Sequence, residues 1–289
     1  MPRGLDHVVH AVRDLDAAAD LYRRLGFTVG ARNRHPPEWG TENRVVQLGG
    51  NFIELLAVSD IADMAPHGHR YFSFGAHNRD FLKADRGLSM LVLQGRGGDD
   101  AAAFRSAGIG DYQVYELERE ARRPDGTTVK VGFSLAFARD PGAPETGFFT
   151  AWHRYPENFW HPELQRHANT AEAVAGVILV AEDPVRHQGF LCTFAEATDA
   201  DATAAGLTVA IAGGAIEVLP PAGFSAEFAS APPDTSRGAR IAALRFAVRD
   251  MDTAIAAVKT AGIDARTSAD RIVVGPHIAL GATLVFEPK

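Results

Sequence analysis

The chain has 289 residues, of which 46% are hydrophobic and 22% are charged, and its formal net charge is −7. This balance is typical of globular proteins, and the acidic charge argues against a nucleic-acid partner. The single cysteine, Cys192, has no intrachain partner for a disulfide, which favours a reducing compartment. No apolar run reaches the roughly 18 residues of a membrane span and no signal region opens the chain, so we expect no membrane partner and a cytoplasmic location.

The first segment predicts a strand, a helix and three further strands. Residues 5–12 form an apolar, valine-rich run typical of a buried strand. Asp14 follows as a helix cap, and Leu21 and Tyr22 belong to an apolar helix face that ends at Gly26. Phe27, Thr28 and Val29 predict the start of a second strand.

After a polar loop, residues 44–48 and 51–58 predict a hairpin around Gly49 and Gly50. The order in this first unit is therefore β-α-β-β-β.

The last segment repeats this unit. Val12-Arg13-Asp14 returns as Val248-Arg249-Asp250, and the same number of residues separates each aspartate from its glycine, Gly26 or Gly262. The predicted elements are a strand at 241–248, a helix at 251–261, and strands at 271–274, 278–280 and 283–286.

Two more divergent units lie between these. One predicts a strand at 88–94, a helix at 101–107 and a strand at 148–152, and the other predicts strands at 174–181, 207–211 and 215–219 with a helix after Pro184. Residues 154–170, rich in proline, histidine and asparagine, predict an ordered connector. We therefore expect an α+β protein of four tandem βαβββ units in two domains, residues 1–160 and 161–289.

With these units in place, the chain resembles the vicinal oxygen chelate superfamily, which includes glyoxalase I, extradiol dioxygenases, and fosfomycin and bleomycin resistance proteins. Asp6-His7-Val8-Val9, Leu25-Gly26-Phe27 and Phe52-Ile53-Glu54-Leu55 carry the likeness, and the loop 35–43 resembles a glyoxalase-like subfamily. The resemblance implies that paired units curl into half-open barrels, each with a cleft.

The resemblance also implies a divalent metal, held by residues of the first and last strands of each unit. His7 and Glu54 occupy these positions in the first unit, and His153 is a candidate third ligand for Fe, Mn, Zn or Ni. His10 is expected on the opposite face of its strand. In the other units the positions fall at Met90, Thr150 or Ala151, Gly176, Glu217, Ala243 and Phe286.

Three interpretations of this ligand set stay open. The metal binds at His7, Glu54 and His153. Alternatively His7 and Glu54 bond to each other or to water without a metal. In the third, a ligand comes from elsewhere, such as His35 or the pair His67 and His69.

Substrate contacts are expected from the loop 35–43 and from the connector. Trp39 is a candidate wall of the cleft, and Asn43 or Arg44 a candidate ligand of an oxyanion. Trp152, beside the histidines of the connector, is a further candidate contact, with packing between the domains as the alternative role.

These features predict a protein that acts on, or binds, a small carbonyl or oxygen-rich compound in the N-terminal cleft. The reaction expected from the resemblance is a metal-dependent lyase or isomerase step through an enediolate, with Glu54 as a metal ligand or as the catalytic base. The alternatives are a metal-free binding protein of the bleomycin-resistance type and an extradiol dioxygenase. The superfamily resemblance is compatible with a homodimer.

Overall fold

The computed structural model describes residues 1–84, 86–97, 99–122 and 126–289. Its elements fall into two groups, one in each half of the chain. The first comprises β1 (Leu5–Ala11), α1 (Leu15–Arg24), β2 (Asn33–Arg34), β3 (Thr41–Gln47), β4 (Phe52–Val58), α2 (Phe74–Ala84), β5 (Gly87–Gln94), α3 (Asp100–Ser106), β6 (Tyr115–Arg122), β7 (Thr128–Ala138), β8 (Gly147–His153) and α4 (Pro156–Phe159).

The second group begins with the long strand that follows the connector. It comprises β9 (Ala171–Val180), a 3-10 turn (Pro184–His187), α5 (Gln188–Ala195), β10 (Asp201–Thr203), β11 (Gly206–Ile211), β12 (Gly214–Leu219), α6 (Pro221–Phe228), β13 (Arg240–Val248), α7 (Met251–Thr260), β14 (Arg266–Thr267), β15 (Ile272–Val274) and β16 (Thr283–Pro288). The predicted α+β class is confirmed.

Each group builds one sheet, and among the described residues each sheet has eight strands. The first has the order β2-β3-β4-β1-β5-β8-β7-β6, and the second repeats it as β10-β11-β12-β9-β13-β16-β15-β14. The first and second units join through the antiparallel pair β1 and β5, and the third and fourth through β9 and β13. Neighbouring units therefore pair in space.

The first sheet curls until its two edges meet. The Tyr115 hydroxyl on β6 donates to Glu38 Oε1 at 2.9 Å, and the Tyr115 ring lies 4.9 Å from that of Trp39, close to β3 at the other edge. This closure turns the sheet into a half-barrel with a concave inner face, as expected.

The helix signals read from the sequence correspond to real caps. Asp14 accepts hydrogen bonds from the backbone amides of Asp16 and Ala17, and Asp250 accepts one from Thr253. Carboxylates in this position satisfy amides that have no partner within the helix, which fixes where α1 and α7 begin.

Two predicted strands are wrong. Phe27–Val29 forms no strand, because the amide of Thr28 bonds to the ring of His167 and its hydroxyl to the Arg166 carbonyl. Residues 278–280 form a turn in which the amides of Ile278 and Ala279 bond to the Gly275 carbonyl.

Three helices, α2, α4 and α6, have no counterpart in the sequence prediction. α2 and α6 connect the two units within each sheet, and α6 packs Phe224 and Phe228 on the inner face of the second sheet. Of the part of the chain that the structure describes, no helix is long and apolar enough to cross a membrane.

A common hydrophobic core joins the outer faces of the two sheets. It contains buried side chains from both halves of the chain, among them Leu5 and Phe286. The ring of Phe27 in the first half lies 5.1 Å from that of Phe246 in the second sheet. His10 is fully buried there: its Nδ1 faces the Tyr22 hydroxyl at 2.9 Å, and its Nε2 faces the Leu280 carbonyl at 3.2 Å. His10 therefore lies on the face opposite His7 and serves the core.

The burial of His10 makes a testable contribution to the pH dependence of stability. Burial lowers the pKa of His10 to about 4 in the folded protein, against about 6.5 in an unfolded chain. Because the unfolded state takes up a proton first, this contribution is complete above pH 6.5 and is lost as the pH falls towards 4. We expect a loss on the order of 3 kcal/mol in the free energy of unfolding from this residue.

The measurement is urea unfolding from pH 7 to pH 4 for the wild type and His10→Gln. Glutamine offers an amide to the Leu280 carbonyl but does not titrate, so the variant should show a shallower pH slope. Equal slopes would show that His10 does not carry this dependence.

Candidate active site

A large cleft occupies the concave face of the first sheet. Its cavity has a volume of about 630 Å³, within the range that small-molecule sites use. Most of the wall is apolar, with the aromatic side chains of Trp39, Phe52, Phe74, Phe133, Phe149 and Phe159. Trp39 is only 5% exposed and stacks on Phe74 with ring centroids 4.4 Å apart. The cleft is thus shaped for a ligand with a planar or apolar body.

Strand alternation decides which residues reach this cleft. On β3, Asn43, Val45 and Gln47 line it, as do Phe52 and Glu54 on β4. Successive side chains of a strand point to opposite faces, so every second residue of each strand is directed inward.

A bulge in β1 brings two adjacent polar residues to the same cleft. The pairing of β1 with β5 shifts register between Leu5 and His7, which leaves Asp6 as the extra residue. Asp6 and His7 consequently both line the cleft. Bulges of this kind redirect side chains next to functional sites.

Asp6 links two histidines at the base of the cleft. Its Oδ1 lies 2.6 Å from Nδ1 of His7, and its Oδ2 lies 3.0 Å from Nε2 of His153. Burial alone would raise the pKa of Asp6. The charges of His153 and His7, together with their hydrogen bonds to Asp6, outweigh this effect and lower the pKa to about 2. Asp6 is therefore an ionised acceptor that fixes both rings.

His7 turns its free ring nitrogen towards Glu54. Nε2 of His7 lies 3.7 Å from Oε2 of Glu54, and both side chains are 7% exposed. The imidazole is held between the stacked ring of Phe52 and the edge of Phe149. The free ring nitrogen of His7 and a carboxylate oxygen of Glu54 therefore face each other at the base of the cleft.

The second carboxylate oxygen of Glu54 is held by Asn43. The Asn43 amide donates to Oε1 of Glu54 at 2.6 Å and lies 3.0 Å from Nε2 of His35. His35 in turn places Nδ1 2.8 Å from the Thr41 hydroxyl. The two amide hydrogens of Asn43 can satisfy Glu54 and a neutral His35 together, and burial lowers the pKa of His35, which favours the neutral ring.

Five of the seven residues that the sequence predicts for the site lie in the cleft. His7, Glu54, His153, Trp39 and Asn43 all line the cleft.

Two candidate substrate contacts lie elsewhere, which corrects the expectation from the sequence. Arg44 points to the outer face of β3, where it bonds to the Gly30 carbonyl and Asp16. Trp152 is 40% exposed and packs against Gly95. Both follow from alternation, because Asn43 and His153 take the inward positions next to them.

Three polar residues of the cleft lie outside the ligand set and the substrate contacts that the sequence favours most. Asp6 belongs to a segment that carries the family resemblance, His35 is an alternative ligand, and no sequence pattern singled out Arg119. Asp6 reaches the cleft through a bulge that a pattern of alternation does not predict. The available sequence signal for Arg119 was strand alternation in Leu117-Glu118-Arg119, which places this basic residue on the same, inward face as Leu117.

In the second unit the corresponding positions direct no comparable polar group into the first cleft. Met90, Phe149 and Ala151 are buried apolar residues of the first cleft, and Thr150 faces away from it and donates to Asp100.

In the second sheet the guanidinium of Arg245 occupies the position beside Glu217 where a bound molecule or metal would lie. Its guanidinium pairs with Glu217 at 2.9 Å and with Glu287 at 2.7 Å, and lies over the ring of Phe228 from α6. A Cβ on Gly176 would lie 3.1 Å from the Arg245 side chain. Glu217 is therefore part of a structural ion-pair network.

Comparisons with known structures agree with this architecture. A hypothetical protein from Staphylococcus aureus superimposes with a TM-score of 0.65 at 12% identity, covering 99% of this chain and 100% of that one. A variant of 4-hydroxymandelate synthase from Streptomyces coelicolor gives 0.58 at 12% identity, with coverage of 99% and 93%. A xylose isomerase-like TIM barrel/4-hydroxyphenylpyruvate dioxygenase fusion protein gives 0.54 at 12% identity, covering 98% of this chain and 48% of that one. At this identity the likeness shows the fold alone.

Sequence comparison supplies the family. No curated protein matches the chain. The family model described as "Glyoxalase-like domain" matches residues 5–194, which include the whole first sheet, its cleft and the start of the second sheet. With a match over well more than half of its length and the fold of the vicinal oxygen chelate superfamily, the chain belongs to the glyoxalase-like domain family.

Proposed function

We propose that the protein is an enzyme that moves a proton next to the carbonyl group of a small compound bound in the first cleft. The observation that carries the proposal is the row Asp6, His7 and Glu54 at the base of an otherwise aromatic cavity. Buried acid–base groups that converge in a large apolar pocket are the default signature of an active site.

In the proposed step Glu54 is the base and His7 the acid. The Glu54 carboxylate takes the proton from the carbon beside the carbonyl, and the C–H electron pair forms a carbon–carbon double bond. The carbonyl oxygen receives the Nε2 proton of His7 in its imidazolium form, which gives an enol or enediol and leaves a neutral ring whose Nδ1–H stays bonded to Asp6. Return of a proton to the neighbouring carbon completes an isomerisation, and loss of a leaving group completes a lyase reaction.

Asp6 supports this step as a positioning residue. By holding Nδ1 of His7 at 2.6 Å it fixes the tautomer and directs Nε2 towards the ligand. It also stabilises the positive charge of a protonated imidazole, as a buried carboxylate does in other histidine pairs.

The donor set for a divalent metal is one residue short. Catalytic zinc and non-haem iron sites use three protein ligands. His153 directs Nε2 to Asp6, and the Asn43 amide occupies Nε2 of His35. Within the described residues this leaves Nε2 of His7 and the Glu54 carboxylate, and no group of three histidine, cysteine, aspartate or glutamate side chains converges as a metal site. The proposed step therefore uses the side chains alone.

Binding without catalysis is the second candidate, and the apolar wall of the cleft favours it. An aromatic cavity would hold an apolar drug-sized molecule without any need for Glu54. An extradiol dioxygenase has less support: the resemblance places its ligands in the second half of the chain, where Glu217 is engaged by Arg245. A homodimer and a cytoplasmic location stay predictions.

The test is proton exchange at the carbon beside a carbonyl group. 2-Hydroxyacetophenone is incubated with the protein in D₂O, and loss of its CH₂ signal is followed by NMR. We expect exchange above the buffer rate for the wild type, a loss of about 10²-fold or more for His7→Gln, and no change for His69→Gln, which alters an exposed histidine outside the cleft. Binding without exchange would favour the second candidate.

A further inference from the structure

The edge strand β6 places a cation on the inner face of the cleft. Along this strand Glu116 and Glu118 face outward, where they bond to Ser134 and Lys130, while Leu117 and Arg119 line the cavity. Side chains along β6 alternate between the outer face and the apolar inner face, so an arginine on the inner face requires a physical explanation.

Arg119 has no carboxylate partner among the described residues. Its guanidinium donates a 3.3 Å hydrogen bond to the carbonyl of the neighbouring Glu120, and burial lowers the pKa of Arg119. The other partly buried arginines differ in this respect. Carboxylates lie within ion-pair distance of all the other described arginines that are buried or partly buried, namely Arg3, Arg44, Arg70, Arg79, Arg240, Arg245 and Arg271.

Desolvation of an unpaired guanidinium is unfavourable to the ligand-free protein. The cost is recovered when an anion enters the same cavity, since charge-assisted bonds to a guanidinium are stronger than neutral ones. The charge of Arg119 also reaches the polar base: together with burial it lowers the pKa of His35, whose Nε2 lies 3.4 Å from Glu54. Arg119, His7 and Glu54 thus line the same cavity.

We propose that Arg119 binds a carboxylate group of the ligand, so that the substrates are small carboxylic acids with an apolar body and a carbonyl group. This inference rests on the proposed function for the position of the carbonyl beside His7 and Glu54. The guanidinium fork matches the two oxygens of a carboxylate.

The charge balance of the cleft favours a carboxylate over a phosphate. One unpaired cation neutralises one negative charge, and Asp6 and Glu54 at the base repel a dianion. A monocarboxylate satisfies Arg119 and adds no negative charge beyond the one that Arg119 neutralises.

The test compares a keto acid with its neutral ester. 3-Benzoylpropanoate and its methyl ester share the phenyl ring and the ketone, and the CH₂ beside the ketone exchanges in D₂O. Binding is measured by calorimetry and exchange by NMR, for the wild type, for Arg119→Met and for Arg119→Lys. The matched control is Arg34→Met, which removes one positive charge from β2, at an exposed position next to the cleft residue Asn33.

We expect the wild type and Arg34→Met to bind the acid about 10- to 100-fold more tightly than the ester. In Arg119→Met this preference should disappear while ester binding stays the same, and Arg119→Lys should keep part of it. Without ligand, the Tm of Arg119→Met should equal or exceed that of the wild type, because a desolvated charge is removed.

Three results would overturn the inference. Equal binding of acid and ester by the wild type, with exchange of either, would refute the carboxylate site and leave the proposed function standing. A lower ligand-free Tm for Arg119→Met would assign Arg119 a structural role. If neither compound binds, both the inference and the proposed function fail for this class of ligand.

Discussion

Replacement of Glu54 by glutamine should lower the rate of proton exchange by about 10²- to 10⁴-fold, the usual contribution of a positioned base. Ligand affinity should stay within about threefold. Glutamine has the shape of glutamate and can still accept the hydrogen bond from the Asn43 amide, which holds Oε1 at 2.6 Å. It cannot take a proton from carbon. The expected signature is therefore a loss of kcat without a corresponding rise in Kd.

Glu217→Gln provides the matched control. Glu217 occupies the related position on the second sheet, and its carboxylate is bound by Arg245 at 2.9 Å. Exchange rates are measured by NMR for both variants after circular dichroism has shown that each is folded. An unchanged rate in Glu54→Gln, or an equal loss in Glu217→Gln, would remove Glu54 from the chemistry.

Replacement of Arg3 by methionine should produce the largest loss of stability. The guanidinium of Arg3 is 1% exposed and donates to both oxygens of Asp100 at 2.7 and 3.1 Å and to Glu196 at 2.6 Å. The Arg3 backbone bonds to Ala195 and Ala212 of the second group of elements. Removal of the cation leaves the buried carboxylate of Asp100 without its counter-charge. We expect the free energy of unfolding to fall by about 3–5 kcal/mol.

The control is Arg23→Met, which breaks an exposed pair with Asp20. The two side chains of that pair are 47% and 71% exposed, and such pairs contribute about 0–1 kcal/mol. Urea unfolding of both variants gives the comparison. A loss in Arg3→Met no larger than in Arg23→Met would show that Arg3 does not connect the two sheets in this way.

The sequence was most informative where a local rule decides the structure. Asp14 and Asp250 begin helices because their side chains cap free amides, and the repeated spacing to Gly26 and Gly262 predicted two copies of one unit. The positions of His7 and Glu54 in the cleft followed from strand alternation together with the superfamily resemblance.

Long-range contacts account for what the sequence did not predict. Phe27–Val29 is apolar enough for a strand, but the ring of His167, far away in the chain, bonds to the backbone of Thr28 instead. The bulge at Asp6 depends on the register with which β1 pairs with β5. A single sequence does not specify such pairings.

The ligand set shows the same limit at the level of chemistry. His153 lies in the cleft, where the expected inward direction places it, but the aspartate beside His7 takes its Nε2. That contact exists because Asp6 reaches the cleft through a bulge. The sequence was sufficient to predict that His153 points into the cleft. It was not sufficient to predict which group each ring nitrogen of His153 contacts.

The most direct measurement is proton exchange by protein dialysed against EDTA, with the metal content determined on the same sample. If His7 and Glu54 transfer the proton themselves, the wild type should keep its full exchange rate without metal, and the double variant His7→Gln, Glu54→Gln should lose it. Loss of exchange in the dialysed wild type, with recovery on addition of a stoichiometric divalent metal that the double variant does not bind, would contradict this mechanism.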